Sequence, residues 1–597
     1  MDTPLNQVIN PTDEQRHQML RNLLETEGRP EDYEYIINLL SPPLDITNYG
    51  LPGELQGLKI GVIGGGLAGL SAAFELRKLG ADITILDANE DRIGGRVYTY
   101  YFGPENKYYS EFGAHRIPVT HETTWHYINL FGLATRPLSV IRRNNFIYVH
   151  NTRLRTSDSI EQMLYPLYEL TSQERNTPWS ELNEYAFLYL MKQLPPDVRS
   201  ELIQILPKYS PEYLPLTNYS IRQTFENLLL SQGAISLISG VDPGVGSLLS
   251  ISYDEMLHEE YTLDYRNIYT INDGIVNLPY AFIQSFLTDN PPQYGNIPAS
   301  RLGRVTYNPG QNVTGIYQPA PDNKVILEYY NRCNFRKTAD IFDYVICAIP
   351  YSTLREVEIK PYFSNLKMQA ILEFNYVDSQ KTLFMCNNRF WEQDTDYGRM
   401  VGGFSQTDLP IQYIFYPGDH VLCPGVSSCS PDEPGVLVAS YNYNLNATRV
   451  GNMEERLRYE LVKKNVEEVH GLPRGFLNSI VEDHKTVVWN NQPTIRGAFA
   501  QTLPGQKALF AYEMLKPEFN QRVYFAGEHI STKHAWMQGA LSTGKAAANQ
   551  LAEHVHNHLQ KKYLLPSDYL YPVYQMEGGI YNYCQTRACS FLSSGFI

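Results

Sequence analysis

The spacing of apolar residues along the chain changes character at Leu58. Residues 1–57 are mainly polar, with one helical stretch and then a connector rich in proline and glycine. From Leu58 a short apolar run that ends in glycines, LKIGVIGGG, precedes LAGLSAAFELRKLG, in which apolar residues recur every three or four positions. A second apolar run, ADITILDA, follows. The pattern predicts strand, turn, helix and strand, which is a βαβ unit of an α/β fold.

Helical signals dominate residues 151–267 and predict an inserted helical domain. Within it we expect Thr177 to cap a helix that has Pro178 at its first position. Strand-like stretches then return with RNIYTIND, RVTYNPGQNVTGIYQ and DYVICAIP, and alternating runs continue over residues 351–499. The last unit is the apolar run QRVYFAGEH followed by a helical pattern, and a tail rich in tyrosine, serine and glycine begins after residue 563.

Composition and charge narrow the class of protein. A chain of 597 residues predicts roughly two to four domains. The net charge of −15 argues against nucleic acid or an anionic membrane as a partner. No apolar run reaches the ~18 residues that cross a bilayer. The N-terminus lacks a basic segment followed by an apolar core, so we expect a cytoplasmic or otherwise intracellular protein.

The seven cysteines indicate neither a metal site nor a disulfide framework. No CxxC pair occurs, so we expect no zinc site and no other bound metal. The spacing of Cys423 and Cys429, and of Cys584 and Cys589, permits bridges. Free thiols are the expectation for a protein that stays inside the cell.

The glycines after the first predicted strand are spaced for a dinucleotide. Gly64, Gly66 and Gly69 follow a GxGxxG pattern between a strand and a helix, and Asp87 ends the next strand. Gly64 permits the tight turn, Gly66 allows a pyrophosphate to approach the backbone, and Gly69 allows close packing of the helix. The phosphates would then lie at the positive helix N-terminus, and the Asp87 carboxylate would accept from ribose hydroxyls.

Two further stretches favour FAD over NAD as the cofactor. RIGGRV, Arg92 to Val97, supplies a second glycine pair between two arginines, which suits a second approach to the pyrophosphate. VYFAGEH places a strand, a glycine and Glu528 before a helix N-terminus, where the far end of a long cofactor would bind.

Together, IGVIGGGLAGLSAAFELRKLG, ILDANEDRIGGRV and VYFAGEHIS followed by HAWMQGALSTG resemble the flavin amine oxidase family, over residues 58–555. FGAHRIP, GGFSQTDLP, YIFYP and HAWMQGA resemble the L-amino acid oxidase branch in particular. At the position of Asp87 the family usually has glutamate, which is one methylene longer.

The resemblance implies an α/β fold with a Rossmann-type FAD-binding domain, a mixed-sheet substrate domain and an inserted helical domain. The expected divisions are an N-terminal extension and connector, a discontinuous FAD-binding domain, a two-part substrate domain, the helical domain and a C-terminal extension. In that order they comprise residues 1–57; 58–98, 268–350 and 500–555; 99–150 and 351–499; 151–267; and 556–597.

The resemblance also implies the residues around FAD. They are Gly64, Gly66, Leu67, Ala68, Gly69, Asp87, Ala88, Arg92, Gly95, Arg96, Gly113, Ala114, His115, Arg116, Val305, Trp489, Gly527, Glu528, Ala535, Trp536 and Met537.

Arg116, in EFGAHRIPVT, is the candidate for binding a substrate carboxylate. A planar guanidinium fixes a carboxylate with two parallel hydrogen bonds. The alternative is an ordinary salt bridge, for example to Glu111. The resemblance further implies that Tyr416 binds the same carboxylate and that Phe499 lines a pocket for large neutral side chains.

Four further positions are candidates for roles at the reacting end of the substrate, and three of them rest on the resemblance. The resemblance places Lys381 where the family has a lysine that holds a water near the flavin and assists reoxidation by oxygen; an edge lysine is the alternative. It places the carbonyl of Ala535 on the substrate amine and the Trp536 indole against the flavin. His258 lies between acids and is a candidate for gating or for substrate deprotonation, although a solvated histidine with a raised pKa is the plainer interpretation.

The resulting expectation is FAD-dependent oxidative deamination of L-amino acids to 2-oxo acids, with ammonia and hydrogen peroxide as co-products. The alternatives are an amino acid 2-monooxygenase that gives an amide, a mono- or polyamine oxidase, and a non-catalytic flavin-binding protein. The expected partners are the amino acid and molecular oxygen, in a homodimer.

Overall fold

A computed structural model of the protein describes residues 7–138, 144–319, 324–393, 399–400, 402–418 and 430–563, with side chains up to residue 560. The C-terminal tail beyond residue 563 and Cys423, Cys429, Cys584 and Cys589 lie outside these ranges. Cys333, Cys347 and Cys386 are free thiols.

A parallel sheet of five described strands contains the predicted βαβ unit. Its order is β10-β2-β1-β14-β23, with every neighbouring pair parallel. The strands are β1 (Lys59–Ile63), β2 (Asp82–Asp87), β10 (Arg304–Pro309), β14 (Tyr344–Cys347) and β23 (Val523–Phe525). The central strand β1 is apolar after its first residue because helices cover one of its faces and a second sheet covers the other.

Two helices lie tightly against each other on this sheet. The helix α3 (Leu67–Lys78) follows β1, and α21 (Met537–Tyr563) follows β23. A Cβ on Gly544 of α21 would lie 2.2 Å from the Ala68 carbonyl oxygen of α3, so the two backbones nearly touch. The helices α4 (Glu122–Phe131) and α15 (Asn277–Leu287) pack into the same core.

The opposite face of the parallel sheet is covered by a four-stranded sheet. Its strands, in the order β13-β12-β11-β15, are β11 (Gln311–Tyr317), β12 (Val325–Asn331), β13 (Lys337–Phe342) and β15 (Glu358–Lys360). A Cβ on Gly61 of β1 would lie 3.0 Å from Leu327 and 3.1 Å from Phe342, which shows how closely the sheets pack.

A separate mixed sheet lies beside the site. It contains one parallel pair, β18 with β7, and otherwise antiparallel pairs, in the order β21-β17-β20-β19-β18-β7-β8. The strands are β7 (Phe146–Val149), β8 (Thr152–Arg155), β17 (Ser379–Cys386), β18 (Phe404–Thr407), β19 (Tyr413–Phe415), β20 (Gly435–Tyr443) and β21 (Val481–Val488). Since β8 reaches Arg155, this sheet continues past the expected boundary at residue 150. The helices α18 (Asn444–Gly451) and α19 (Glu455–His470) pack against it.

Residues 160–261 form a cluster of short helices with its own apolar core. They are α5 (Ile160–Met163), α6 (Ser172–Asn176), α7 (Trp179–Phe187), α8 (Tyr189–Gln193), α9 (Pro196–Arg199), α10 (Leu214–Asn218), α11 (Ile221–Asn227), α12 (Gln232–Val241), α13 (Pro243–Leu248) and α14 (Asp254–Tyr261). The expected cap is wrong, because Thr177 ends α6 and Pro178 occupies the N-cap of α7 without a side-chain hydrogen bond.

The N-terminal segment also belongs to this core. It forms two helices, α1 (Asp13–Thr26) and α2 (Tyr33–Leu40), where the sequence suggested one. Arg16 of α1 is buried and donates to Glu122 of α4 at 2.6 Å, which ties the segment to the FAD-side core.

The remaining elements connect these parts. They are β3 (Thr99–Phe102), β4 (Tyr108–Glu111), β5 (Ile117–Pro118), β6 (Thr135–Pro137), β9 (Ile268–Ile271), β16 (Tyr376–Val377), β22 (Phe499–Ala500), α16 (Tyr351–Leu354), α17 (Asn365–Glu373) and α20 (Gln506–Met514). Within the described ranges, no helix has both the length and the apolar character that crossing a bilayer requires, and no cluster of His, Cys, Asp or Glu is arranged to hold a metal ion.

Candidate active site

The turn between β1 and α3 contains three glycines. Gly64 and Gly69 are closely packed, whereas Gly66 borders open space. Gly64 has a φ of +101°, and a Cβ on it would lie 2.9 Å from the Ala348 carbonyl oxygen. A Cβ on Gly69 would lie 2.0 Å from the Gly64 carbonyl oxygen, so α3 packs directly on the turn. No atom lies within 4 Å of the place a Cβ on Gly66 would take, at the N-cap of α3. This open space at a positive helix end suits a pyrophosphate.

Asp87 lies at the carboxyl end of β2 and is buried. Its Oδ2 accepts from the Tyr307 hydroxyl at 2.9 Å, and its Oδ1 accepts from the Asn89 backbone N–H at 3.0 Å. Burial raises the pKa of Asp87, although the hydrogen bonds from Asn89 and Tyr307 oppose the shift. A Cβ on Gly65 would lie 2.4 Å from Oδ2, so only a glycine fits beside this carboxylate.

Arg96 and Glu528 join the two predicted cofactor-binding stretches. Arg96 Nη1 donates to Glu528 Oε1 at 2.5 Å, and Glu528 Oε2 accepts from the Ala535 backbone N–H at 2.9 Å. Burial alone would raise the pKa of Glu528, but Arg96, His534 and His529 outweigh it and hold that pKa below its usual value. The ionised carboxylate therefore fixes the guanidinium and the loop together.

Arg92 packs against the aromatic rings of Tyr98 and Trp489. Its guanidinium lies 4.7 Å from the Tyr98 ring centroid and 5.8 Å from the Trp489 ring centroid, and it donates to the Gly95 carbonyl. Arg92 thus positions Gly95, which lines a large cavity.

This continuous cavity of about 2110 Å³ is lined by both the βαβ turn and the mixed sheet. The predicted residues in its lining are Gly64, Gly66, Leu67, Ala68, Asp87, Ala88, Gly95, Arg96, Gly113, Ala114, His115, Arg116, Trp489, Phe499, Gly527, Glu528, Ala535, Trp536 and Met537. Gly69, Arg92, Val305, Lys381, His258 and Tyr416 lie outside it. The glycine turn, the buried Asp87 carboxylate and the Arg96 guanidinium form a donor and acceptor set that fits a dinucleotide such as FAD.

Arg116 is half-buried in this cavity. Its Cζ lies 5.1 Å from the Phe415 ring centroid and 5.6 Å from the Tyr265 ring centroid. Glu111, the alternative salt-bridge partner, instead accepts from the Thr99 hydroxyl and the Ile275 N–H, each at 2.9 Å. In the part of the chain that the structure describes, Arg116 forms no ion pair with a carboxylate. A cavity-facing guanidinium without an internal partner is suited to an anionic ligand.

Lys381 contacts the lining without belonging to it. Its Nζ donates to the carbonyl oxygens of Glu111 at 3.1 Å and Gly113 at 3.2 Å, and lies 4.4 Å from the Tyr441 ring centroid. Burial and the Arg116 guanidinium lower the pKa of Lys381 to about 7, and Glu111 opposes this shift. Burial likewise raises the pKa of the Glu111 carboxyl to about 7.

The loop after β23 is held by buried carboxylates from α14 and the residues that follow it. His534 Nδ1 lies 3.0 Å from the Glu255 carboxylate. Lys533 Nζ donates to Asp264 Oδ2 at 2.7 Å. Burial opposes the charged form of His534, but the Glu255 carboxylate outweighs it and raises the pKa of this imidazole.

Ala535 and Trp536 complete the loop at the cavity. Ala535 has a φ of +68°, a left-handed conformation that is uncommon for a residue with a side chain. The Trp536 indole donates from Nε1 to Glu259 Oε1 at 2.7 Å and packs edge to face on His121 with ring centroids 4.9 Å apart.

The structure does not bring His258 to the cavity. Its ring is buried, with Nε2 3.8 Å from Glu255 Oε2, and it lines a separate small cavity of about 20 Å³. The expectation of a solvated histidine with a raised pKa is wrong, because burial lowers the pKa of His258 to about 4 despite the opposing effect of Glu255.

Tyr416 is likewise directed away from the cavity. Its hydroxyl lies 2.7 Å from the Ser405 hydroxyl and 2.8 Å from His470 Nε2, inside the core between the mixed sheet and α19. Strand geometry explains the difference, since successive side chains point to opposite faces and Phe415 occupies the cavity face.

Several lining residues were not identified from the sequence. They are Glu259, Tyr265, Tyr413, Phe415, Tyr441 and Tyr443. The alternation of Tyr441 and Tyr443 along β20, and of Tyr413 and Phe415 along β19, was a usable signal. The sequence carries no comparable signal for Glu259, and the adjacent His258 is the more familiar catalytic residue type.

Comparison with known proteins agrees with this geometry. Residues 67–552 match the family model for flavin containing amine oxidoreductases. The chain is 29% identical over 515 residues to YobN of Bacillus subtilis (strain 168), whose name marks it as a candidate L-amino-acid oxidase; the match covers 85% of this chain and 97% of that protein. It is 27% identical over 541 residues to an L-amino-acid oxidase of Vipera ammodytes ammodytes, covering 89% and 99% of the two chains.

Solved structures with the same fold include a putrescine oxidase bound to putrescine. It has a TM-score of 0.60 and 16% identity, and the match covers 83% of this chain and 98% of that chain. Cyclohexylamine oxidase from Brevibacterium oxydans IH-35A has a TM-score of 0.59 and 17% identity, with 84% and 99% covered. At these identities the likeness concerns the fold alone.

Proposed function

The chain belongs to the flavin-containing amine oxidoreductases and has FAD as its cofactor, and from this premise we propose that it oxidatively deaminates L-amino acids. The products are the 2-oxo acid, ammonia and hydrogen peroxide. The observation that carries the proposal is Arg116, a guanidinium in the cavity that is flanked by Phe415 and Tyr265 and forms no ion pair among the described residues. A simple amine has no carboxylate for this group to bind.

Bound FAD supplies the acceptor for the hydride that leaves the substrate Cα and passes the electrons to oxygen. The protein's part in this proposal is to orient the substrate. Arg116 holds the carboxylate with two parallel charge-assisted hydrogen bonds. The Ala535 carbonyl accepts from the amine, and the Trp536 ring bounds the cavity beside it.

The aromatic lining favours large neutral substrates. Tyr441 and Tyr443 of β20, Phe415 of β19 and Phe499 of β22 all face the cavity, and their rings provide apolar area for a substrate side chain. A negatively charged side chain would lose its hydration against the faces of these rings, which carry partial negative charge. We place Lys381 behind Gly113 as the group that assists reoxidation by oxygen.

The proposed cofactor contacts follow the cavity. The Gly64–Gly66 turn and the N-terminus of α3 would hold the pyrophosphate, Asp87 would bind the ribose, and Arg96, Gly527 and Glu528 would surround the remainder. The proposed domain division is the one expected from the sequence except at residue 150, because β8 extends the mixed sheet to Arg155. The strands of the parallel sheet support the FAD-binding part, since each falls in one of the three ranges assigned to it.

Anaerobic reduction of the flavin tests the proposal. The oxidised protein is mixed without oxygen with each of the twenty L-amino acids and with the matching amines that lack the carboxylate, and the loss of absorbance of the oxidised flavin is followed. We expect bleaching by large neutral L-amino acids and much slower bleaching by amines. Bleaching by amines alone would show an amine oxidase instead, and no bleaching would indicate a flavin-binding protein.

Analysis of the products distinguishes the proposed oxidase from an amino acid 2-monooxygenase. With oxygen present, the proposal requires equal amounts of hydrogen peroxide, ammonia and 2-oxo acid. An amide and carbon dioxide would identify a 2-monooxygenase. The expected homodimer is checked separately by light scattering, because turnover carries no information about assembly.

A further inference from the structure

A half-buried carboxylate in the cavity wall has no role in the proposed function. Glu259 lies in α14, and its side chain reaches the cavity. Oε1 accepts from the Trp536 indole N–H at 2.7 Å, and Oε2 accepts from the Tyr265 hydroxyl at 2.8 Å. One side chain therefore connects the loop that carries Ala535 with the ring that flanks Arg116.

Both partners of Glu259 are wall residues of the cavity. The Tyr265 ring lies 5.6 Å from the Arg116 guanidinium and 5.9 Å from the Trp536 ring. Without an acceptor, the largely buried Trp536 indole N–H would lose this hydrogen bond in the interior. Tyr265 is 44% exposed, so loss of the bond would release its ring from this position rather than leave its hydroxyl buried and unpaired. The two hydrogen bonds from Trp536 and Tyr265 to Glu259 therefore connect two sides of the cavity, and together they are called the brace.

The surroundings of Glu259 act on its negative charge in both directions. Burial and the nearby Asp264 raise the pKa of this carboxyl group to about 7. The hydrogen bonds from Tyr265 and Trp536 and the Lys533 ammonium oppose that shift. A buried carboxylate is tolerated only where donors of this kind compensate for its lost hydration.

We propose that Glu259 is a positioning residue for substrate oxidation: its carboxylate fixes the Trp536 indole and the Tyr265 ring, and through Tyr265 it fixes the place of Arg116. The inference rests on the proposed function for the identity of the substrate, but the brace itself is a property of the cavity. Glu259 acts through its two partners rather than on the substrate.

A double-mutant cycle measures this coupling. Glu259→Gln keeps the shape but leaves one acceptor oxygen, so either the amide NH2 opposes the Trp536 indole N–H or the Tyr265 hydroxyl must change from donor to acceptor. We expect kcat/KM for a large neutral L-amino acid to fall about tenfold, the size typical of coupled contacts. In a Trp536→Phe background, which has no indole N–H, the same change should cost at most about threefold.

The matched control is Glu260→Gln, the same substitution at the adjacent half-buried carboxylate, which also borders the cavity but which the structure does not place against Trp536 or Tyr265. It should change kcat/KM by less than about twofold. A tenfold loss in both backgrounds, or equal losses at positions 259 and 260, would overturn the inference, and so would an unaltered Glu259→Gln enzyme.

A binding measurement gives a second readout that needs no turnover. Benzoate, a carboxylate without an amine, is titrated while the absorbance of the bound flavin is followed. Glu259→Gln should raise its dissociation constant about three- to tenfold because Tyr265 no longer holds its place beside Arg116. An unchanged constant, together with an unchanged thermal midpoint, would contradict the positioning role.

The two proposals can fail separately. If the wild-type protein oxidises amines and not amino acids, the proposed function is wrong, and the double-mutant cycle is then measured with the amine. Coupling between Glu259 and Trp536 on that substrate would still support the brace, and additivity would still overturn it.

Discussion

The guanidinium carbon of Arg116 lies 5.1 Å from the Phe415 ring centroid, on a cavity wall where, among the described residues, no carboxylate is paired with it. Aromatic rings stabilise a cation without neutralising it, so the charge stays available to a ligand. The Glu111 carboxylate, which could have taken this charge, is bound by Thr99 and Ile275. This arrangement makes the substrate carboxylate the expected partner of Arg116.

Arg116→Ala should therefore impair the oxidation of amino acids far more than the oxidation of amines. Leaving a buried carboxylate unpaired costs about 3–5 kcal/mol, so kcat/KM for leucine should fall by about two to four decades. FAD content should be unchanged. Steady-state kinetics with leucine and isopentylamine provide the comparison, and equal losses on both would mean that Arg116 supports the fold or the flavin.

Alanine substitutions at two glycines of the dinucleotide turn should have different effects, one on folding stability and the other on cofactor binding. A Cβ at position 69 would lie 2.0 Å from the Gly64 carbonyl oxygen, so Gly69→Ala forces the backbone apart and should lower the free energy of unfolding by about 1–3 kcal/mol. Gly66 has a φ of −77° and open space around it, so the apoprotein can accommodate an alanine side chain at this position.

Gly66→Ala should leave the stability of the apoprotein within about 0.5 kcal/mol of wild type while weakening FAD binding, because its methyl group occupies the expected path of the pyrophosphate. Denaturant unfolding of apoprotein and a titration with FAD measure the two quantities. A Gly66→Ala variant that binds FAD as tightly as wild type would contradict this place for the pyrophosphate.

The oxidative half-reaction should depend on the ionisation of Lys381. Its pKa is lowered to about 7 by burial, so the ammonium predominates below this pH and is lost as the pH rises through it. An ammonium near the site favours the negative charge that develops when oxygen is reduced. Reoxidation of the reduced flavin should therefore be fast at pH 6 and slower by about tenfold at pH 9.

Lys381→Met is the control for this pH profile. It should be slow at every pH and should lose the descending limb, whereas flavin reduction by the amino acid should change less. Stopped-flow mixing of reduced protein with oxygen separates the half-reactions. If Lys381→Met keeps the wild-type profile, the titration belongs to another group, such as Glu111, whose pKa burial raises to about 7.

The parts of this site that lie within one stretch of sequence were open to prediction. The α/β fold and a dinucleotide site follow from glycines and an acid spaced along one βαβ unit, and RIGGRV and VYFAGEH favour FAD as the dinucleotide. The fold and the cofactor are both confirmed. Local spacing suffices there because the turn, the helix N-terminus and Asp87 are built by consecutive elements.

The substrate end depends on contacts between distant parts of the chain, and there the sequence was a weaker guide. Glu259 and Trp536 are 277 positions apart, and their hydrogen bond follows from the packing of α14 against the loop after β23. His258 was chosen for its residue type, although its side chain points into a different, smaller cavity. Tyr416 directly follows β19, which borders the cavity, but its side chain lies on the opposite face of the sheet and contacts Ser405.

The neighbouring residues Phe415 and Tyr416 provide the last test, since they lie on opposite sides of the mixed sheet. Phe415 faces the cavity below Arg116, whereas the Tyr416 hydroxyl is bound to Ser405 and His470. Tyr416→Phe leaves His470 Nε2 without this partner, whereas Ser405 keeps the hydrogen bond from the Phe146 N–H. The substitution should lower the free energy of unfolding by about 1–2 kcal/mol. Its KM should stay within about twofold of wild type because no contact with the cavity is lost.

Phe415→Leu should show the reverse. The core is untouched, but the ring that flanks Arg116 is gone, and a cation–π contact of about 0.5–2 kcal/mol corresponds to a loss of about two- to thirtyfold in kcat/KM for an L-amino acid. Urea unfolding and steady-state kinetics on the same two preparations measure both effects. If Tyr416→Phe raised KM by more than Phe415→Leu, the substrate carboxylate would lie on the Tyr416 side of the strand, and the roles of the two faces at the substrate end would be reversed.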